Sequence, residues 1–261
     1  MALLEVKNIY KSFGGVKAIV DFSLEANAGE IHGIIGPNGA GKTTIFNTIT
    51  GVYPPDKGEV LLDGKNITKL PQYKITRLGV GRTFQNIRIF KGLTVEENVM
   101  CAFDPQSKYT ILGGLLPTPN RFKEEKRGRE LTRKYLEVVG MLEYKDERPE
   151  NLSYGNQRKV EIARALMCEP KVLLLDEPAA GLTPTEVAEL TALIKKISAD
   201  FGFAILLIEH RLDLVMSISN VIHVQNFGET IAVGSAQEVQ NNPAVIEAYL
   251  GAEDDAAARE R

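Results

Sequence analysis

The stretch Gly36-Pro37-Asn38-Gly39-Ala40-Gly41-Lys42-Thr43 constrains this chain more than any other. It fits G-x-x-x-x-G-K-[ST], a glycine-rich loop that cradles phosphates. Upstream, Glu30-Ile31-His32-Gly33-Ile34-Ile35 is an apolar run of strand length, and downstream Thr44-Ile45-Phe46-Asn47-Thr48-Ile49 repeats apolar residues at helical spacing as far as Gly51. A loop joining a buried strand to a helix start leaves backbone N–H groups unpaired, and the helix macrodipole favours negative charge there. The glycines admit positive φ and let the backbone approach a phosphate closely. Gly36, Pro37, Asn38, Gly39, Ala40, Gly41, Lys42, Thr43 and Thr44 therefore form a candidate nucleotide-binding set. Within it Lys42 would reach the β and γ oxygens of a triphosphate such as ATP, and Thr43 would ligate Mg2+.

A second piece of the same chemistry lies far along the chain. Val172-Leu173-Leu174-Leu175 is a fully apolar strand ending in Asp176-Glu177-Pro178. Carboxyl ends of parallel strands collect at the ligand edge of a sheet. Asp176 would hold Mg2+ there, and Glu177 would polarise an attacking water. His210 follows another apolar run, residues 203–208, and is placed to hydrogen-bond the γ-phosphate and to position Glu177 or the water. Gln85, at the end of a third strand within 79–85, would sense the same phosphate and metal. The candidate catalytic residues are thus Glu177, His210 and Lys42, and the candidate metal ligands Thr43, Gln85 and Asp176. Phe13 reads either as a base-stacking aromatic or as a core residue. His32 and His223 lie inside predicted strands and are taken as core or edge residues.

Composition narrows the class. The chain has 261 residues, 44% hydrophobic and 25% charged, enough for a core of one large or two small domains. Its net charge of −3 and the absence of a long basic block give no sequence-independent grip on nucleic acid. Cys101 and Cys168 make no metal-type spacing, and a reduced, cytoplasmic setting follows as the simplest reading. No secretory signal is visible at the N-terminus, and the most apolar run, 203–208, is far too short to span a bilayer, so any membrane link must come through a partner.

The remaining segments give the layout. Residues 3 to 30 read as antiparallel strands, and Asp63-Gly64 marks a hairpin within 58–68. Leu131, Tyr135, Val138 and Leu142 recur at helical spacing. Ser153 is a natural N-cap, which makes a second phosphate-friendly helix start. Thr183-Pro184-Thr185-Glu186 is a capping box with proline at its first helical position. The loop 110–119 reads as surface, with contact to a partner as the alternative. The expected organisation is one domain over about 1–250: an α/β core at 1–85 and 166–235, a helical insertion at about 86–165, a C-terminal helix at about 236–250, and a solvated tail at 251–261.

Taken in order, the P-loop, Gln85, Leu152-Ser153-Tyr154-Gly155-Asn156-Gln157, Asp176-Glu177 and His210 resemble the nucleotide-binding subunit of an ABC transporter, from about residue 3 to 250. The resemblance implies an α/β P-loop NTPase core with an antiparallel β subdomain and an inserted helical subdomain. It implies that Ser153 and Gly155 contact the γ-phosphate held by the opposite subunit, in a head-to-tail pair glued by ATP, and that Phe13 stacks on adenine. Tyr154 stands where a second glycine is commonest, and Thr183 where most of the family has Asp, so no catalytic role is carried over to Thr183. A finer likeness, to the ATPases of branched-chain amino acid importers, rests on 82–99, 115–122, Leu152–Leu166, Asp176–Glu186, 208–216 and 241–251. Arg211 departs from the acidic residue usual after the switch histidine in that group. The implied partners are a second ATPase subunit, transmembrane permease subunits and a solute-binding protein, with the chain peripheral at the cytoplasmic membrane face. Glu177 and His210 argue against a mere nucleotide switch, which needs neither. Non-transport ABC ATPases typically carry coiled coils or two ATPase units. Other cargoes (lipid export, urea or other amino acid import) stay open, because the solute never touches this subunit.

Overall fold

The computed structural model describes residues 2–106 and 119–249. Residues 110–118 of the expected surface loop at 110–119, and the tail at 251–261, lie outside them, while Pro119 begins a helix. Near the N-terminus β1 (Leu4–Phe13) and β2 (Val16–Ala26) pair antiparallel, and β3 (Ile31–Ile35) leads through the glycine-rich loop into α1 (Lys42–Ile49). On the far side of β1 lie β4 (Lys57–Leu62) and then β5 (Lys65–Asn66). Asp63 and Gly64 both take positive φ, 50° and 71°, as the expected two-residue hairpin turn demands.

The chain then passes α2 (Gln72–Arg77), β6 (Val80–Arg82), α3 (Val95–Met100), α4 (Pro119–Val138) and α5 (Tyr154–Leu166). It returns to the sheet as β7 (Val172–Asp176), α6 (Pro184–Phe201), β8 (Ala204–Ile208), α7 (Leu212–Ile218), β9 (Val221–Asn226) and β10 (Glu229–Gly234), and continues into α8 (Ala236–Gln240). All these strands form one ten-stranded sheet in the order β5-β4-β1-β2-β10-β9-β3-β8-β7-β6. Its β9, β3, β8, β7 and β6 neighbours run parallel, and the antiparallel half is joined on through β10 and β2, where Val20 N donates to Gly228 O at 2.8 Å.

The apolar runs explain the layering. Alternate strand residues point to opposite faces, so a strand covered on both sides must be apolar throughout. Leu173, Leu175, Ile205 and Leu207 pack into one core with the helices, while Val172, Leu174, Leu206 and Ile208 pack into the other with α1 and β1.

Three expectations change. The predicted strand within 79–85 stops at Arg82, and Gln85 comes three residues later, in a loop. The helix carrying Leu131 and Tyr135 stops at Val138: Gly140 takes φ 70°, and Leu142 lies in a separate 3-10 turn packed on the same core. The C-terminal helix is two helices, 236–240 and 243–249, with Asn242 Oδ1 accepting from Ala244 N at 3.0 Å. Pro243 supplies the reason, because the residue before a proline is driven out of the helical region.

His32 and His223 are both buried, on adjacent β3 and β9, with Nδ1 of the first 3.3 Å from Nε2 of the second; Glu30 lies 3.1 Å from the other His32 nitrogen. Burial, with His32 beside it, pushes the His223 imidazole down to about 4. The unfolded chain, titrating near its ordinary 6.5, then binds the proton first as pH falls. Stability is therefore lost as pH drops through that window, by about 2 kcal/mol from this residue at roughly pH 5. His223→Gln should flatten the slope of stability against pH between neutrality and that pH, read from urea midpoints. An unchanged slope would rule the assignment out.

Candidate functional site

Four neighbouring parallel strands, β3, β8, β7 and β6, end at one edge, and the candidate residues leave from those ends. The glycine-rich loop follows β3. Asp176 is the last residue of β7, Glu209 and His210 follow β8, and Gln85 comes just beyond β6. Sequence positions far apart thereby meet without any long loop.

Lys42 is buried, and its Nζ donates to the carbonyls of Gly36 (2.6 Å) and Pro37 (2.8 Å), closing the loop on itself. Burial pulls the lysine's pKa down, opposed by the negative charges of Glu177 and Asp176 nearby. Gly36 and Gly41 take φ 147° and 95°, and a Cβ at either would run into a carbonyl, that of Gln225 or Ala18. The loop from Asn38 to Thr44 lines an open pocket with Val16, Glu177, His210 and Phe227.

Glu177 is the hub. Its Oε2 accepts from Gln85 Nε2 at 2.7 Å, and its Oε1 lies 2.8 Å from His210 Nε2. An ionised carboxylate only accepts, so Nε2 carries the proton in that contact. Glu177 also sits in the left-handed region, φ 46°, which a residue with a Cβ tolerates only when its surroundings fix it. Lys42, Gln85, Glu177 and His210 are thus brought together as expected. Gln85 uses its N–H2 on Glu177, which leaves its carbonyl oxygen available.

Phe13 ends β1 opposite Val16 and packs edge-on against Tyr53, with ring centroids 5.1 Å apart. It is 45% exposed and is not among the residues lining the loop's pocket. Ser153 caps α5 as expected, accepting from Asn156 N, but Ser153 and Gly155 line a different pocket, beside Leu182 and Glu186. There Glu186 Oε1 accepts from Gly155 N (3.2 Å) and Ser153 Oγ (3.4 Å). Its Oε2 accepts from Thr183 N and Thr183 Oγ1, both at 3.0 Å. Those hydrogen bonds, Thr183's foremost, hold the Glu186 carboxyl below its ordinary pKa. A Cβ at Gly155 would lie 2.6 Å from Glu186 Oε1, so glycine is what admits the carboxylate.

Several participating side chains were missed from sequence. Arg82 donates to Asp176 Oδ2 at 2.8 Å, and to Asn47 Oδ1 and Thr50 Oγ1 at 2.8 and 3.1 Å, tying the end of α1 to the acidic strand end. Arg158, fully buried, donates to the carbonyls of Phe84 (2.8 Å) and Gln85 (3.0 Å) and pairs with Glu161, which accepts from Phe84 N at 3.2 Å. Burial pushes the Glu161 carboxyl up, while Arg158 pulls it down. Opposite charges three apart, on the face of α5 that also carries the buried Ile162 and Leu166, were the available signal. Glu209, also buried, accepts from three backbone N–H groups, those of Ala179, His210 and Arg211.

The donor set fits the expected ligands. A buried ammonium within a glycine-rich loop at a helix start suits phosphate oxygens. The Thr43 hydroxyl, the Gln85 carbonyl and the Asp176 carboxylate are hard oxygen donors of the kind Mg2+ prefers. When bound, the ion would neutralise phosphate charge.

The sequence profile described as "ABC transporter" matches residues 19–180, well over half of the chain. The chain belongs to this ABC transporter family. A second profile, described as "Branched-chain amino acid ATP-binding cassette transporter", matches residues 229–255 of this ABC protein. It is 45% identical over 249 residues to the high-affinity branched-chain amino acid transport ATP-binding protein LivG of Escherichia coli, covering 95% of this chain and 98% of that one. The identity and coverage are the same for the protein BraF, described likewise, of Pseudomonas aeruginosa. The solved structure of a nucleotide-free ATP-binding cassette from an ABC transporter superposes with a TM-score of 0.83 at 34% identity, over 95% of this chain and 99% of that chain. The protein is accordingly an ATP-hydrolysing ABC transporter subunit with the α/β P-loop fold of its relatives. None of its described helices is long and apolar enough to cross a membrane. The ABC subunit also carries a groove of about 500 Å3 beside the Gln85 loop, lined by Val80, Phe84, Ile89, Phe90 and Ala102, with Arg88 on its wall.

Proposed function

We propose that this ABC subunit powers uptake of branched-chain amino acids through partner membrane subunits. The ATPase half of that reading is carried by one observation: both oxygens of Glu177 are held, by Gln85 and His210, beside the phosphate-binding lysine. In it, Lys42 and the N–H groups of the loop hold the β and γ phosphates, Thr43, Gln85 and Asp176 supply oxygens to Mg2+, and Glu177 takes a proton from the attacking water. His210 keeps Glu177 in place and donates toward the γ-phosphate. Catalysis of this kind is mostly positioning and charge stabilisation. Ser153 and Gly155 belong to the pocket of a second copy's or sister ATPase's nucleotide, in keeping with their separation from the P-loop pocket of the same chain.

Cargo rests on likeness rather than on this site. The 45% identity to LivG and BraF and the match at 229–255 support branched-chain amino acids. Attachment to the cytoplasmic face of the membrane would then come through permease subunits, for which the apolar groove beside Phe84 is a suitable seat. What fills that groove would press on the segment that carries Gln85. A solute-binding protein would complete the system.

The test is uptake of labelled leucine by cells of the source organism, wild type against a chromosomal Glu177→Gln replacement. Loss of uptake, with the membrane subunits present at normal level, is the expected result. Unchanged uptake, with the purified wild-type chain hydrolysing ATP, would leave the ATPase intact and remove the cargo.

A further inference from the structure

Glu209 is 2% exposed and directly follows β8. Its Oε1 accepts from Ala179 N at 2.6 Å, and its Oε2 from His210 N at 3.0 Å and Arg211 N at 3.4 Å. No Lys, Arg or His among the described residues forms an ion pair with it. Burial pushes its carboxyl up, and the three backbone hydrogen bonds oppose that shift. A carboxylate buried without a counter-ion is unfavourable unless its hydrogen bonds need it, and here every partner is a donor.

The two segments it joins are the ones that carry the hydrolytic pair. Ala179 lies two residues beyond Glu177, and His210 is the next residue after Glu209. A second tie runs alongside, from Glu177 N to Ile208 O at 2.9 Å. Glu177 sits at φ 46°, so the loop after β7 needs an external constraint to keep that residue left-handed. His210 is held to Glu177 side chain to side chain, but an exposed ring contact fixes no backbone. Glu209 does.

We propose that Glu209 is a positioning residue, whose buried carboxylate fixes the loop bearing Glu177 against the loop bearing His210. The proposal rests on the reading of Glu177 and His210 as the hydrolytic pair. Glu209→Gln is the first test, because the amide keeps the size but turns one acceptor into a donor that faces a backbone N–H. In the purified chain, turnover of ATP should fall at least about tenfold, while affinity for a fluorescent ATP analogue stays within about twofold. In a His210→Ala background the same change should cost less than about twofold more, since the pair is already broken. Equal losses in both backgrounds, or wild-type turnover in the single variant, would overturn the proposal. Glu209→Asp keeps the charge but is one methylene too short to reach both loops. It too should lose turnover, and wild-type activity there would overturn the idea even if the glutamine variant did not fold.

A readout without turnover separates this from the ATPase reading. The 15N resonance of His210 Nε2 reports its hydrogen bond to Glu177. In Glu209→Gln it should move toward its position in Glu177→Ala, and an unmoved resonance would refute the positioning role. A wild-type chain with no ATPase activity would instead overturn the proposed function, and the resonance would still decide on Glu209.

Discussion

Glu177→Gln should leave ATP bound and reduce its turnover by at least about 100-fold, the scale of a lost general base. The substitution spares the cradle: Lys42 keeps its bonds to the Gly36 and Pro37 carbonyls, and the loop N–H groups are untouched. It alters only the hub, where both carboxylate oxygens now accept, one from Gln85 and one from His210. An amide offers a single acceptor, so one of those neighbours loses its partner, and the basic oxygen that would draw a proton from water is gone. Steady-state phosphate release and equilibrium ATP binding, measured on the same preparation, separate the two effects. The ATP-loaded variant should also run as a dimer in size-exclusion chromatography, because the step that opens the pair is blocked. Hydrolysis at the wild-type rate would remove Glu177 from the chemistry.

Lys42→Ala should act on the other quantity. A hydrogen bond to a charged group contributes about 1.5–3 kcal/mol, so ATP affinity should fall roughly 10- to 150-fold, at 1.4 kcal/mol per decade. The variant also strands the Gly36 and Pro37 carbonyls that the ammonium now serves. A lower unfolding temperature without ligand is therefore expected as well, and an ATP titration by intrinsic or analogue fluorescence below that temperature keeps the two effects apart. Unchanged affinity in the folded variant would count against the phosphate role of the loop.

What could be foreseen followed the range of the interactions. Phosphate cradles, capping boxes and hairpin turns are built by residues a few positions apart. The Gly36–Thr43 loop, the Thr183/Glu186 box and the Asp63-Gly64 turn were accordingly legible. Strands buried on both faces announce themselves as unbroken apolar runs, and the polar residue ending each run marks the ligand edge, which is how Asp176, Glu177 and His210 stood out. Contacts across the fold carry no such local mark. Arg82 reaches Asp176 over 94 positions, and Arg158 reaches Phe84 over 74. Glu209 carries no such mark either: a carboxylate beside His210 looks like ordinary strand-end polarity until Ala179 is seen donating to it. The break at Asn242-Pro243 does carry a local mark, the proline itself, which drives the residue before it out of the helical region. The ring of Phe13 leans on Tyr53, while Val16, its cross-strand neighbour, lines the pocket of the glycine-rich loop.

Glu186 gives the lone chain a property of its own. Its carboxylate already fills the donors at the start of α5, Gly155 N and Ser153 Oγ. If a neighbour's nucleotide is to use them, the event is an exchange of anions: one oxyanion leaves as another arrives, and no donor is stripped of water in between. The exchange need not unmake the start of α6, because the Glu186 oxygen that accepts from Thr183 is the other one. Two copies approaching each other thus meet helix-start donors that already hold a carboxylate of their own chain.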